Sequence, residues 1–309
     1  MILKYGDSGQ RVSQMQKMLS FIGYDLIVDG FFGKVTLRSL KAFQKKVGLV
    51  TDGMASQKTI TALKSSQKRT AKEDGIETTS AIYPNYLNID TSNELPREQY
   101  NRQQTIKKQI FIHFTAGSSS AKNTIHGWNS NISKIATAFV VDGDNGQIFE
   151  AFNPNYWGWH LGIKGTKGSL DKISIGIEMC AFGPLKKKGN DFYAWPPVDP
   201  ATKQAKYETK VDKSNIYSLN ESYRGFLHFY AYSDEQLENL EKLLSHLIEI
   251  YNIPVQKEFN ESWFDFKPEL IANKTPGIWT HVNVRKDKTD SYPDHRLLEV
   301  LNRIAKKYN

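Results

Sequence analysis

The 309-residue chain has almost no cysteine: Cys180 stands alone. An internal disulfide and a cysteine-rich zinc knuckle are both excluded. Any metal site must therefore be built from histidines and carboxylates. Long apolar runs are missing too. No stretch approaches the ~20 residues that a membrane helix needs, so no membrane insertion is expected. The opening MILKYGDSGQRV lacks an apolar signal core, and we expect neither a leader nor an anchor. Acidic residues are scarce at one end. Residues 1–70 hold 4 Asp/Glu against 12 Lys/Arg, whereas residues 71–309 hold 29 of each sign. The net charge of +8 thus belongs to the N-terminal segment. Such a patch attracts nucleic acid, anionic lipid or an anionic wall polymer, or is simply a solvated basic face.

What is present begins with a repeat. Asp29-Gly30-Phe31-Phe32-Gly33-Lys34-Val35-Thr36 recurs 23 residues later as Asp52-Gly53-Met54-Ala55-Ser56-Gln57-Lys58-Thr59. Asp-Gly suits a turn with a positive φ angle, and the threonine is expected to cap the helix that follows. Helical spacing marks Val12, Met15, Leu19 and Ile22, then Leu37, Leu40, Phe43 and Val47, then Ile60 and Leu63. A small three-helix module over residues 1–65 is predicted. Residues 64–80 contain one large apolar residue, Ile76, and read as linker; we set the linker at 66–81 and a second domain at 82–309.

That second domain mixes strands with helices. Gln109 to Phe114 reads as a buried strand, and Ile173 to Glu178 as another. Ala138 to Val141 and Gln147 to Phe149 flank the turn cluster Asp142 to Gly146, a hairpin pattern. Ser233 and Gln236 form a capping box ahead of the stripe Leu237, Leu240, Leu244 and Leu247. Leu297, Leu298, Leu301 and Ile304 mark a closing helix. The expected class is α/β, a central mixed sheet flanked by helices. Residues 183–231 are polar, aromatic and irregular, and read as an inserted surface region.

Candidate chemistry rests on histidine. His113 ends an apolar strand, and His281 sits in Thr280-His281-Val282-Asn283-Val284-Arg285-Lys286-Asp287-Lys288-Thr289-Asp290. Two imidazoles and a loop carboxylate can make a three-ligand zinc site with a fourth position left for water. Spacing alone favours a satisfied core histidine at position 113 over a metal ligand. Cys180 reads as a small buried hydrophobe rather than a nucleophile.

Longer motifs carry a resemblance. The D-G-x-x-small-x-x-T repeats and Gly48-Leu49-Val50-Thr51-Asp52-Gly53 resemble the peptidoglycan-binding module family, with Ser56 where glycine is usual. Ile112-His113-Phe114-Thr115-Ala116-Gly117, Tyr156-Trp157-Gly158-Trp159-His160-Leu161-Gly162, Ser174-Ile175-Gly176-Ile177-Glu178 and Thr280-His281…Arg285…Asp287-Lys288-x-Asp290…Pro293 resemble the zinc-dependent N-acetylmuramoyl-L-alanine amidases of bacteriophage lysins, relatives of peptidoglycan recognition proteins. The resemblance implies Zn2+ as cofactor, with His113, His281 and Asp290 as ligands. Asp287 and Asp294 compete nearby, and Asp290 is favoured because Lys288 stands two positions before it, as in the family's K-x-D element. Some relatives use a tyrosine as proton acceptor where this chain has Thr137; others use a glutamate after S-I-G-I, here Glu178. Glu178 is thus implied as base and then acid, and Lys288 as stabiliser of the oxyanion. His160 is implied as a substrate-side residue, with Trp157 and Trp159 as groove wall or core. His126, His228, His246 and His295 are left structural or exposed.

The implied activity is hydrolysis of the amide between N-acetylmuramic acid and L-alanine, with bacterial peptidoglycan as partner and no nucleic acid. A non-catalytic wall-binding or sensing protein and a zinc endopeptidase acting within the stem peptide are the rivals. The implied setting is that of a phage or prophage lysin, held in the cytoplasm until a separate holin-type permeabiliser opens the way to the wall. Oligomeric state is left open.

Overall fold

A computed structural model describes residues 2–22, 24, 26, 28–73, 83–84, 87–129, 134–194 and 208–309. The chain divides into two compact units, Met1–Ile82 and Tyr83–Asn309.

The first unit holds three helices, α1 (Gln10–Phe21), α2 (Lys34–Lys46) and α3 (Gln57–Glu73). Val12, Met15, Leu19, Phe32, Leu40, Phe43, Ala55 and Leu63 form its core. Each Asp-Gly turn is clasped by a buried glutamine. Gln16 Oε1 accepts from Gly30 N at 2.8 Å, and its Nε2 donates to Asp29 Oδ1 at 2.7 Å and to the Phe31 carbonyl at 3.0 Å. Gln44 does the same for Gly53 N, Asp52 Oδ1 and the Met54 carbonyl, at 2.9, 2.8 and 3.0 Å. Both turn glycines have positive φ, +72° and +75°. The expected threonine caps are corrected. Thr36 lies inside α2 and accepts from Gln16 Nε2, while at the second turn Ser56 Oγ accepts from Thr59 N at 3.3 Å. Helix α3 runs past residue 65 because Lys64 to Glu73 contain no glycine or proline to stop it. The rest of the linker, 74–81, lies outside the described residues.

The second unit is built on a six-stranded mixed sheet. In chain order its members are β1 (Ile89–Asp90), β2 (Gln109–Phe114), β3 (Phe139–Val141), β4 (Ile148–Glu150), β5 (Ser174–Met179) and, late in the chain, a strand over Gly277–Thr280. Helix α4 (Ala121–Asn129) follows β2, and α5 (Ser169–Ile173) leads into β5. Residues 183–231, read from sequence as irregular, instead form a five-stranded antiparallel sheet among the described residues. It comprises β6 (Pro184–Lys188), β7 (Asp191–Ala194), β8 (Thr209–Val211), β9 (Ile216–Tyr223) and β10 (Phe226–Tyr230), ordered β8-β7-β6-β10-β9. Helix α6 (Asp234–Tyr251) starts at Ser233, whose capping box with Gln236 is formed in both directions. Helix α7 (Pro268–Asn273), β11 (Gly277–Thr280) and α8 (His295–Tyr308) complete the chain.

The large sheet is ordered β1-β4-β3-β5-β2-β11. β2, β5 and β11 run parallel side by side, and β2 is buried along its whole length. This explains its unbroken apolar run, since a parallel strand covered on both faces shows no alternation. Leu240, Leu244, Leu247, Leu297, Leu301 and Ile304 join the strands in one core. Among the described residues no helix is long and apolar enough to cross a membrane.

Candidate active site

The parallel strands end together, and their C-terminal edge is where open α/β sheets form ligand crevices. His113 is the penultimate residue of β2, and its register partner across the pair is Glu178 on β5. His281 follows the last residue of β11, Thr280. The loop after it folds back on itself: Thr280 and Asn283 cap each other, Val282 N donates to the Asp290 carbonyl at 3.1 Å, and Ser291 N donates to Thr280 Oγ1 at 2.5 Å. Asp290 is thereby returned beside His281.

Three side-chain atoms converge there. His113 Nδ1 lies 3.1 Å from His281 Nδ1 and 3.1 Å from Asp290 Oδ2, and His281 Nδ1 lies 3.0 Å from the same oxygen. All three residues are buried. Among the described residues this is the one group of three or more such side chains placed to hold a metal ion. The other carboxylates weighed from sequence go elsewhere. Asp287 is exposed and pairs with Arg285, while Asp294 caps α8 and pairs with Arg296.

The donor set fits a cation. His281 Nε2 faces the Leu161 carbonyl at 2.9 Å, and a carbonyl can only accept, so the neutral ring carries its proton on Nε2. When that ring is neutral, its inward Nδ1 presents a lone pair beside the Asp290 carboxylate, and two such acceptors repel unless something positive lies between them. Edges of 3.0–3.1 Å are close to the about 3.3 Å separating tetrahedral ligands at zinc–nitrogen bond lengths.

Burial shapes the acid–base properties. It pushes the His113 imidazole down to about 4, helped by His281 and opposed by Asp290. It drives His160 well below its usual value, with His113 adding to the effect. Burial alone would raise the Asp290 carboxyl, but the His281 and His113 rings hold it well below the usual carboxylate range. Glu178 is pushed up to about 8, by burial first and by Asp290 second, against the pull of Lys288.

These groups line a cleft of about 390 Å³. Its lining includes the polar Glu178 and the segment Asp287 to Asp290, and the apolar Phe114, Trp128, Ile135 and Ala136. Glu178 and Lys288 are half-buried in it. Thr137 also lines it, but its hydroxyl donates to the Phe139 carbonyl at 2.9 Å. His160 reaches the cleft with both ring nitrogens engaged, Nδ1 at 2.9 Å from His113 Nε2 and Nε2 at 2.8 Å from Ser174 Oγ. Trp157 and Trp159 pack edge-to-face on one another, and Cys180 is fully buried, its thiol pushed up by burial.

Comparison with known proteins decides the family. The profile of the N-acetylmuramoyl-L-alanine amidase family matches residues 102–293, more than half of the chain. The chain belongs to the N-acetylmuramoyl-L-alanine amidase family. A peptidoglycan binding domain profile matches residues 8–63, within the three-helix unit of this amidase-family chain. N-acetylmuramoyl-L-alanine amidase CwlA of Bacillus subtilis (strain 168) is 38% identical over 71 residues, which are 23% of this chain and 25% of CwlA. The match thus spans about a quarter of that relative's length. The SleB N-terminal domain structure is 39% identical, over 22% of this chain and 94% of that one, with a TM-score of 0.22. PlyL is 16% identical over 72% of this chain and 98% of its own, with a TM-score of 0.39.

Sequence reasoning quoted Ser174, Leu161 and Arg285 as motif positions without giving them a role behind the cluster, and passed over Asp171. A main-chain carbonyl carries no side-chain signature. Asp171 resembles any helical acid in sequence, yet it is 1% exposed.

Proposed function

We propose that this chain hydrolyses the amide linking N-acetylmuramic acid to L-alanine in bacterial peptidoglycan. His113, His281 and Asp290 would hold a zinc ion, and Glu178 would move the proton. The observation that carries this reading is the convergence of two buried imidazole nitrogens and a carboxylate oxygen within 3.1 Å of one another, at a cleft that also exposes a carboxyl poised near 8. Zinc, when bound, acidifies water and polarises the scissile carbonyl. Glu178 takes the proton of the attacking water and returns it to the leaving amine. A positive charge beside Glu178 favours its ionised form and brings its titration toward neutral pH, the range in which a general base works best. Lys288, which lines the same cleft, would stabilise the oxygen that becomes negative as the carbonyl is attacked. Phe114, Trp128 and Ile135 give the same cleft apolar contact surface for the substrate beside the bond being cut.

The basic three-helix unit would hold wall rather than nucleic acid, raising the local substrate concentration for the amidase unit. The same reading makes the protein a lysin of phage or prophage type, admitted to the wall by a separate membrane permeabiliser. The test is digestion of purified walls with mass spectrometry of the released fragments, beside metal analysis of the protein. A free lactyl carboxyl on muramic acid, a new L-alanine amino terminus and about one zinc per chain are expected. A cut inside the stem peptide would make it an endopeptidase. Wall binding with no fragment released would make it a binding protein.

A further inference from the structure

We propose that one short strap, His160–Leu161, with Ser174 behind it, sets the tautomers of both inner imidazoles and thereby decides whether the cluster can bind metal. The inference rests on the metal reading above and assigns His160 and Ser174 as positioning residues. Each inner ring turns its outer nitrogen to an adjacent residue of the strap. His281 Nε2 meets the Leu161 carbonyl at 2.9 Å, and His113 Nε2 meets His160 Nδ1 at 2.9 Å. The first contact has one solution, donation by the histidine. The second is ambiguous by itself, because either ring could donate.

Ser174 removes the ambiguity. Its hydroxyl donates to the Leu170 carbonyl at 2.8 Å, so it can only accept from His160 Nε2, 2.8 Å away. With its proton on Nε2, neutral His160 offers a lone pair at Nδ1. His113 must then donate from Nε2, and its own Nδ1 is left bare, facing His281 and Asp290. The order of donation runs from His113 through His160 and Ser174 to the Leu170 carbonyl. The strap itself is fixed, since Asp171 Oδ1 accepts from both His160 N at 2.9 Å and Leu161 N at 3.0 Å. Arg285 Nη1 clamps its far side by donating to the Gly162 carbonyl at 2.7 Å. The room beneath is limited, because a Cβ on Gly176 would lie 3.1 Å from His160 Nδ1. A reversed proton on His160 would place a hydrogen on His113 Nδ1, where a metal bond would otherwise form.

The test compares the full-length protein with Ser174→Ala and Ser174→Thr. Zinc affinity is measured by competition with a chromophoric chelator, and imidazole tautomers by long-range 15N NMR of the chelated, metal-free protein. Thermal unfolding of the chelated proteins reports whether each variant folds. Ser174→Ala should bind zinc about 10- to 100-fold more weakly, and Ser174→Thr should stay within about threefold of the parent. In the parent, His113, His160 and His281 should all be protonated at Nε2. The parent spectrum decides the matter even where Ser174→Ala fails to fold, because a proton on Nδ1 of His160 or His113 overturns the proposal. Equal zinc affinity of parent and folded Ser174→Ala overturns it as well, while leaving the metal reading intact. A parent that binds no zinc removes both.

Discussion

Replacing Glu178 by glutamine tests the electrostatics of the cleft separately from its chemistry. In the folded chain this carboxyl stands at about 8 instead of 4.5, raised by burial and then by Asp290, with Lys288 opposing. Between those two values the unfolded chain has released the proton and the folded chain still holds it. The unfolded state binds fewer protons, so stability falls as pH rises. The contribution is intact below 4.5 and is progressively lost up to about 8. At 1.36 kcal/mol per decade, the loss between pH 5 and pH 8 has a ceiling of about 4 kcal/mol. Glu178 keeps partial access to the cleft, so about 1–3 kcal/mol is expected. Glutamine preserves the volume and does not titrate. The comparison belongs in chelated protein, because a bound cation would draw the carboxyl down. Urea unfolding at pH 5, 6, 7 and 8 can be followed by fluorescence, since all 6 tryptophans lie between residues 128 and 279 and report on the amidase unit alone. Glu178→Gln should gain on the parent steadily as pH rises. Curves that stay parallel would mean the carboxyl is already ionised and hydrated, and the reasoning would fail.

Other perturbations reach different parts of the molecule. Asp290→Asn should lower zinc affinity by at least about tenfold and remove wall hydrolysis, read by chelator competition and fragment release. Lys288→Met should leave zinc content unchanged and reduce kcat by about 10²- to 10³-fold, the usual cost of losing an oxyanion partner. Lys107 is 2% exposed and donates through Nζ to the carbonyls of Tyr156, Lys172 and Ser174. Lys107→Met orphans these acceptors and should destabilise the amidase unit by about 3 kcal/mol, measured by urea unfolding. Gln44→Ala should cost about 1–3 kcal/mol in the N-terminal unit and expose the Gly53 amide to hydrogen exchange.

Local rules reached far into this fold. The capping box at Ser233, the hairpin around Asp142 to Gly146 and the strand of His113 each followed from short patterns whose physics is local. The sheet over residues 184–230 did not. Its strands are short and its outer face is solvated: Lys186, Lys187 and Lys188 lie exposed in a row, and β9 buries no residue fully. No strand fully buries more than one residue (Leu185, Ala194, Val211 and Phe229 are the buried ones), so there is no alternation for the eye to find. The threonine caps failed for a related reason. The glutamines that claim those turns lie 13 and 8 residues upstream, beyond any capping pattern. At the candidate site the histidines were visible as residues, whereas Asp290 was chosen among Asp287, Asp290 and Asp294 only through a family-like element. The strap behind the histidines acts through a carbonyl and a serine, groups that every sequence has in abundance.

The pairing of His113 with Glu178 across β2 and β5 has a practical corollary. Two groups that would have to cooperate in one reaction are spaced by a ladder of peptide bonds rather than by the fit of neighbouring side chains. Repacking the leucines beneath the sheet would carry both together, like marks on the same ruler. An engineer seeking a hardier protein therefore has latitude in the interior, and little in the few residues that crown these two strands.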